Sequence, residues 1–193
     1  MASTRWMFGY GSLIWNPGFS YQERRPARLK GYHRDFCMVS TRNRGTEQTP
    51  GLVLSLCPGG EVVGMAFAYD AAEESDVFKY LDDREGIHRA HERCVVPVEF
   101  LSGDTAQGPT PRTNPSWTYL PVLTAPNYDC TMPLAQRAAL VAQGCGKIGT
   151  SYEYLRLLLE ELDKLQVTEA SLTELFAASR RLCEQTQLQA AGK

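Results

Sequence analysis

Trp6-Met7-Phe8-Gly9-Tyr10-Gly11-Ser12-Leu13-Ile14-Trp15 is the first apolar run of the chain, and Asn16-Pro17-Gly18 ends it. A bulky aromatic run that stops at two glycines and a serine reads as a β-strand, Trp6 to Tyr10, passing into a loop. A strand followed by Gly9-x-Gly11 is also how a dinucleotide-binding Rossmann unit begins. Here the third glycine is missing, no helix pattern follows and no later acidic residue serves as a ribose binder. The doubly wound α/β architecture is therefore set aside. With Arg5 before it, the run also imitates a short secretion signal, yet it is aromatic and glycine-rich, and no small-residue cleavage site follows.

Outward from this strand, five more short segments are rich in β-branched and aromatic residues: Arg34 to Ser40, Gly51 to Leu56, Val62 to Tyr69, Arg93 to Phe100 and Trp117 to Val122. Pro58-Gly59-Gly60 reads as a turn between two of them. The stretch from Gly103 to Pro115 is expected to be a mobile surface loop. One helix interrupts the strands, because Ala71 to Leu81 places Val77, Phe78 and Leu81 at helical spacing behind an acidic start.

The last third is helical. Pro133 suits a first turn, and Leu134 to Gln143 stops at Gly144. Thr150-x-x-Glu153 forms a capping box ahead of the stripe Leu155, Leu158, Leu159, Leu162 and Leu165. Ser171-x-x-Glu174 repeats that signal for a helix reaching about Cys183. The expected class is α+β, a mostly antiparallel sheet or barrel with helices packed on it.

At 193 residues the chain can bury one real core, so residues 1–193 are expected to form a single domain. Its formal net charge of −2 gives no bulk attraction for nucleic acid or anionic lipid. No run approaches the roughly 18 apolar residues that would span a bilayer, so neither nucleic acid nor membrane is expected as a partner. The six cysteines, Cys37, Cys57, Cys94, Cys130, Cys145 and Cys183, fit no zinc spacing and are expected as reduced thiols. The expected compartment is the cytoplasm.

Three places could carry chemistry. The Phe8 to Trp15 stretch, a strand ending in two glycines and a serine, brings bare backbone N–H groups close to whatever sits above it, which suits a carboxylate, a phosphate or a developing oxyanion. By itself it is equally a tight turn or a bulge. Tyr80-Leu81-Asp82-Asp83-Arg84-Glu85-Gly86-Ile87-His88-Arg89 follows the expected helix and crowds three carboxylates beside two arginines, either a reactive cluster or a solvated helix end. Glu85, His88, His91 and Cys94 recur every three residues. That spacing fans across a helix or alternates faces of a strand, and Gly86 opposes a regular helix, so no metal site is expected. Arg42 and Arg44, in Ser40-Thr41-Arg42-Asn43-Arg44-Gly45, either clamp a carboxylate or decorate a solvated loop.

Together these pieces resemble the ChaC-type γ-glutamylcyclotransferases. The resemblance runs through Phe8 to Trp15, Gly31-Tyr32, Arg34-x-Phe36, Ser40-Thr41-x-x-Arg44-Gly45, Pro50-Gly51, Tyr80-Leu81-Asp82-x-Arg84-Glu85-Gly86 and Tyr152-Glu153-Tyr154-Leu155. It covers residues from about 6 to 165 in order, and matches only loosely beyond Leu165. It implies a γ-glutamylcyclotransferase-like fold, a small mixed β-barrel edged by helices with a helical C-terminal part. It implies breakdown of glutathione in the cytoplasm, with Glu85 as acid–base and Gly9, Tyr10, Gly11, Ser12, Leu13, Ile14, Arg44 and Tyr154 binding the substrate. The family often carries a Gly-Tyr after its Arg-Glu, where this chain has Gly86-Ile87-His88-Arg89. His88 thus stands in place of a phenol, which bears on substrate preference.

The implied chemistry suits these residues. The α-amine of a γ-glutamyl group lies one five-membered ring from its own γ-carbonyl, so an enzyme need only fold the substrate and move protons. One carboxylate can take the amine's proton and return it to the leaving nitrogen. The glycine loop then holds either the α-carboxylate or the oxyanion. The reaction gives 5-oxoproline and Cys-Gly and calls for no cofactor or metal. The alternatives are a cyclotransferase for other γ-glutamyl amino acids or amines, and a non-catalytic regulatory binding protein of the same fold.

Overall fold

A computed structural model describes residues 3–85, 90–101 and 113–191. The strands β1 (Thr4–Gly9), β2 (Glu23–Ser40), β3 (Gly51–Asp70), β4 (His91–Phe100) and β5 (Thr113–Pro121) close into a barrel in the order β1-β3-β2-β4-β5. The pairing is mixed. β1 runs antiparallel to β3, from Thr4 opposite Asp70 to Gly9 opposite Met65, and meets β5 in parallel at Met7 and Trp117. β4 and β5 are antiparallel from His91 opposite Pro121 to Glu99 opposite Thr113. With α1 (Glu74–Glu85), α2 (Leu134–Gln143), α3 (Ser151–Lys164) and α4 (Ala170–Ala191), this is the expected α+β class. Residues 103–112 of the expected mobile loop lie outside the described residues, and Thr113–Pro115 belong to β5.

Two compact units emerge, Met1–Arg34 with Pro58–Ala125, and Asp35–Cys57 with Pro126–Lys193. In the first, Met7, Leu13, Tyr69, Val77, Leu81 and Tyr119 form a buried cluster joined by Phe19, Phe78 and Trp117. Arg34 is buried at the charge-bearing end of its side chain and is held by carbonyl oxygens, donating to Tyr10 at 2.8 Å and also to Val63. A buried guanidinium survives only with such partners. In the second unit α3 buries Tyr154, Leu155, Leu158 and Leu162, and Tyr152 stacks on Phe176 of α4 with ring centres 5.0 Å apart. Thr150 caps α3 by accepting the Glu153 N–H at 3.0 Å, as the capping box foretells.

Several boundaries move. Gly51–Leu56 and Val62–Tyr69 are one strand, because Gly59 and Gly60 take φ of 91° and 73° and kink β3 without ending it. α1 runs one turn past Leu81, to Glu85. α4 begins at Ala170, so Ser171 lies inside the helix and is not its cap, and the helix continues beyond Cys183. A two-stranded ribbon, β6 (Cys145–Gly146) with β7 (Gly149–Thr150), precedes α3 and is too short to leave a periodic signal. The six-thiol expectation also fails: Cys57 and Cys130 form a disulfide, while Cys37, Cys94, Cys145 and Cys183 are free. The physical reason is proximity, since their Cα atoms stand 6.0 Å apart, inside the range a disulfide bridges.

Candidate active site

β1 ends at Gly9, and after Gly11 the chain makes one 3-10 turn, Ser12–Ile14, whose Ile14 N–H donates to the Gly11 carbonyl at 2.9 Å. A Cβ on Gly9 would stand 2.5 Å from the Leu13 Cβ, and one on Gly64 of β3 would strike the Gly9 carbonyl oxygen. Strand and turn approach so closely that only glycine fits. The side chains of the motif are spoken for. Tyr10 donates its hydroxyl to the Tyr119 carbonyl at 2.8 Å, Leu13 sits in the core cluster, and Ile14 is buried. Ser12 Oγ accepts a hydrogen bond from Arg84 at 2.8 Å. What the motif offers a ligand is therefore its backbone, the N–H groups at the start of the turn.

The last turn of α1 meets this segment. Val77 and Leu81 anchor the helix in the core, and Asp82 is fixed by Arg93 at 2.8 Å and by the Tyr119 hydroxyl at 2.6 Å. Asp82 is thereby committed to structure, and Asp83 is exposed. Arg84 reaches from α1 to the glycine segment. It donates to the Asn16 carbonyl at 2.6 Å, to Ser12 Oγ at 2.8 Å and to the Tyr80 hydroxyl at 3.3 Å. Glu85, the next residue, holds its carboxylate 3.4 Å from the Arg84 Nε with about a fifth of the side chain exposed, 21%. His91 Nδ1 meets the Glu85 carbonyl oxygen at 3.0 Å.

Thus Glu85 and Gly9–Ile14 belong to one constellation, and Arg84 is the residue that joins them. The sequence places Arg84 beside Glu85 without giving it a role, since its partners lie 68 and 72 residues away. His88, the second member of the Glu-His-His-Cys spacing and the substitute for a phenol, lies outside the described residues. His91 and Cys94, three apart on β4, point to opposite faces of the strand.

Arg44 and Tyr154 come together in the second unit. The Arg44 guanidinium lies over the Tyr154 ring, 5.2 Å from its centre, and donates to the Thr150 carbonyl at 3.2 Å. Burial lowers the pKa of Arg44 from its ordinary value, opposed by Tyr154 and Glu153. Phe36 packs on the other partner, its ring centre 5.6 Å from that of Tyr154. The backbone of Arg44 is also fixed. Its N–H donates to Ser40 Oγ at 3.1 Å, and its carbonyl accepts from Ser151 Oγ at 3.1 Å. Ser151 is fully buried, so its bond to the Arg44 carbonyl spares a desolvated hydroxyl a cost of about 1–3 kcal/mol.

Residues 5–182 match the ChaC-like protein family. A glutathione-specific γ-glutamylcyclotransferase of Escherichia coli (strain K12) is 32% identical over 177 residues, covering 92% of this chain and 73% of that protein. One of Schizosaccharomyces pombe is 34% identical over 200 residues, covering 94% of this chain and 95% of its own. In fold, the chain superposes on the crystal structure of a γ-glutamyl cyclotransferase specific to glutathione from yeast with a TM-score of 0.83 at 23% identity, over 93% of this chain and 96% of the other. A match that spans barrel, glycine turn, α1 and the helices after them leaves one conclusion: the chain belongs to the ChaC-like family.

Proposed function

We propose that this chain is a glutathione-specific γ-glutamylcyclotransferase, and that residues 1–193 act as one domain of that kind. The observation that carries the reading is the Arg84 bridge, which holds the carboxylate of Glu85 beside a turn whose free resource is backbone N–H groups. The relatives named for this activity support it. The reading is catalytic because a binding protein has no need of a base in that position.

In the reaction the α-amine nitrogen of the γ-glutamyl group attacks its own γ-carbonyl carbon. Glu85 takes the proton that the amine must lose, and the new C–N bond closes a five-membered ring. The turn at Gly11 to Leu13 supplies donors to the substrate's anionic oxygens. Collapse of the tetrahedral intermediate breaks the amide bond to cysteine, and Glu85 returns the proton to the departing nitrogen. The products are 5-oxoproline and Cys-Gly, and no water is consumed. Arg44 and Tyr154 are proposed as further substrate contacts. The cytoplasm, where glutathione is abundant, is the proposed compartment; among the described residues no helix is long and apolar enough to cross a membrane.

Glutathione incubated with the protein in 18O-labelled water tests this directly. The expected glutamyl product is 5-oxoproline without the label, together with Cys-Gly. Labelled glutamate as the first product would mean hydrolysis and would overturn the cyclotransferase reading.

A further inference from the structure

In the second unit, Cys37 on β2, Cys57 on β3 and Cys130 beyond the end of β5 bring their sulfurs within 4.8 Å of one another. Cys57 and Cys130 are bonded, and Cys37 is a free thiol. The three differ in access: Cys37 and Cys57 are 0% and 2% exposed, whereas Cys130 is partly exposed. The segment that carries Cys130 is pinned independently of the disulfide. Val39 N–H donates to the Asn127 carbonyl at 2.8 Å, Asp129 N–H to the Cys37 carbonyl at 2.8 Å, and the Tyr128 hydroxyl to the Leu56 carbonyl at 2.9 Å. Opening the sulfur–sulfur bond therefore leaves the two sulfurs close enough to close it again.

We propose that Cys57–Cys130 is a reversible exchange site for low-molecular-weight thiols and their disulfides, with Cys130 as the sulfur they attack. A thiolate RS⁻ bonds to the Cys130 sulfur, the Cys57–Cys130 bond breaks, and its electron pair stays on Cys57, which takes up a proton. A second thiolate attacks the R sulfur of that mixed disulfide, forms RSSR and releases Cys130 as a thiolate that is then protonated. Two thiols are oxidised to one disulfide, and the protein disulfide is reduced to two thiols; the reverse sequence restores it. The buried sulfur of Cys57 is shielded from the first attack.

Cys37 is a bystander in this exchange. Burial, with the charge of Asp35 adding to it, pushes its thiol up to about 12. It keeps its proton at neutral pH and does not compete as a nucleophile for the nearby disulfide. The site stands on the three sulfurs alone. Where the cyclotransferase reading also holds, the substrate is itself a thiol of the class that opens the bond.

The test uses 2-mercaptoethanol with its disulfide at graded ratios, a probe without a γ-glutamyl group. Samples of the native protein are quenched in acid, alkylated in denaturant and mapped by peptide mass. Cys57 and Cys130 should convert from linked to alkylated together as the ratio rises. Early samples should carry the mercaptoethanol adduct on Cys130, with Cys37 a thiol throughout. Cys37→Ala should exchange at a rate within about twofold of the parent, and Cys130→Ser should leave Cys57 without adduct. The proposal is overturned by a first adduct on Cys57 or Cys37, or by a disulfide that includes Cys37. It is equally overturned if the native bond persists in an excess of thiol that reduces the unfolded chain. No turnover is read, so its failure is distinct from failure of the proposed activity.

Discussion

Glu85→Gln keeps the shape of the side chain and leaves the bonds of Arg84 to Asn16, Ser12 and Tyr80, while removing the proton acceptor and its ion pair with Arg84. Turnover of glutathione should fall by at least about 100-fold, with the melting temperature nearly unchanged. Near-normal turnover in that variant would take the base away from Glu85. Arg44→Lys keeps the charge but loses the planar fork that stacks on Tyr154. If Arg44 binds substrate, KM should rise about tenfold with little change in kcat; equal falls in both kcat and kcat/KM would deny it a ground-state contact. Tyr69 and Tyr119 make a prediction about pH. Burial raises both phenols above their ordinary value, assisted by Glu74 at Tyr69 and by the hydrogen bond to Asp82 at Tyr119. Unfolded tyrosines ionise near pH 10, so above it the native state holds protons that the unfolded state has lost. Stability should be intact below about pH 10 and fall above it, by up to ~1.4 kcal/mol per pH unit for each phenol. Urea unfolding of Tyr119→Phe should show a shallower alkaline decline, and an unchanged slope would refute the assignment.

The elements show why some of this was legible in the sequence and some was not. β1, the glycine turn and α3 announce themselves locally, through an aromatic run, paired glycines and a threonine N-cap that the structure keeps. The final turn of α1 does not. Asp82-Asp83-Arg84-Glu85 is a polar string beyond the last apolar residue of the helical pattern, and its side chains are held by Arg93, Tyr119 and the glycine segment, all outside the helix. β3 misleads in the other direction, since Pro58-Gly59-Gly60 carries every local mark of a turn yet continues the strand. The packing of the glycine turn is testable. Gly9→Ala places a methyl against the Leu13 Cβ, which belongs to the turn and cannot swing away. Separation of the two should cost about 1–3 kcal/mol of stability and disturb the backbone that binds substrate. Chemical denaturation with the glutathione assay would check both, and a variant of parental stability and activity would show that the turn can move aside for a methyl group.

At the scale of the whole molecule, the feature that spacing could not reveal is the link between Cys57 and Cys130, 73 residues apart. Six scattered cysteines permit many pairings, and a chain that buries this much core has no need of a staple, so nothing local selects the pair. Folding selects it, by laying the segment from Asn127 to Asp129 along β2 and the Tyr128 hydroxyl on Leu56 of β3. Cross-linking across so long a loop removes unfolded-state entropy worth roughly 4 kcal/mol in the chain-entropy treatment, and measured losses for native disulfides are about 2–5 kcal/mol. For a chain of this length each kcal/mol moves the melting temperature by about 2–4 °C. The double variant Cys57→Ala, Cys130→Ala should therefore melt roughly 8–16 °C below the oxidised parent. Reductant should lower the parent toward the variant and leave the variant where it is. Replacing both residues matters, because a single substitution adds an unpaired thiol at the same time as it removes the bond, and the two effects on stability would be read together. A double variant that melts with the oxidised parent would mean that the hydrogen bonds of the 127–130 segment, and not the disulfide, hold it in place.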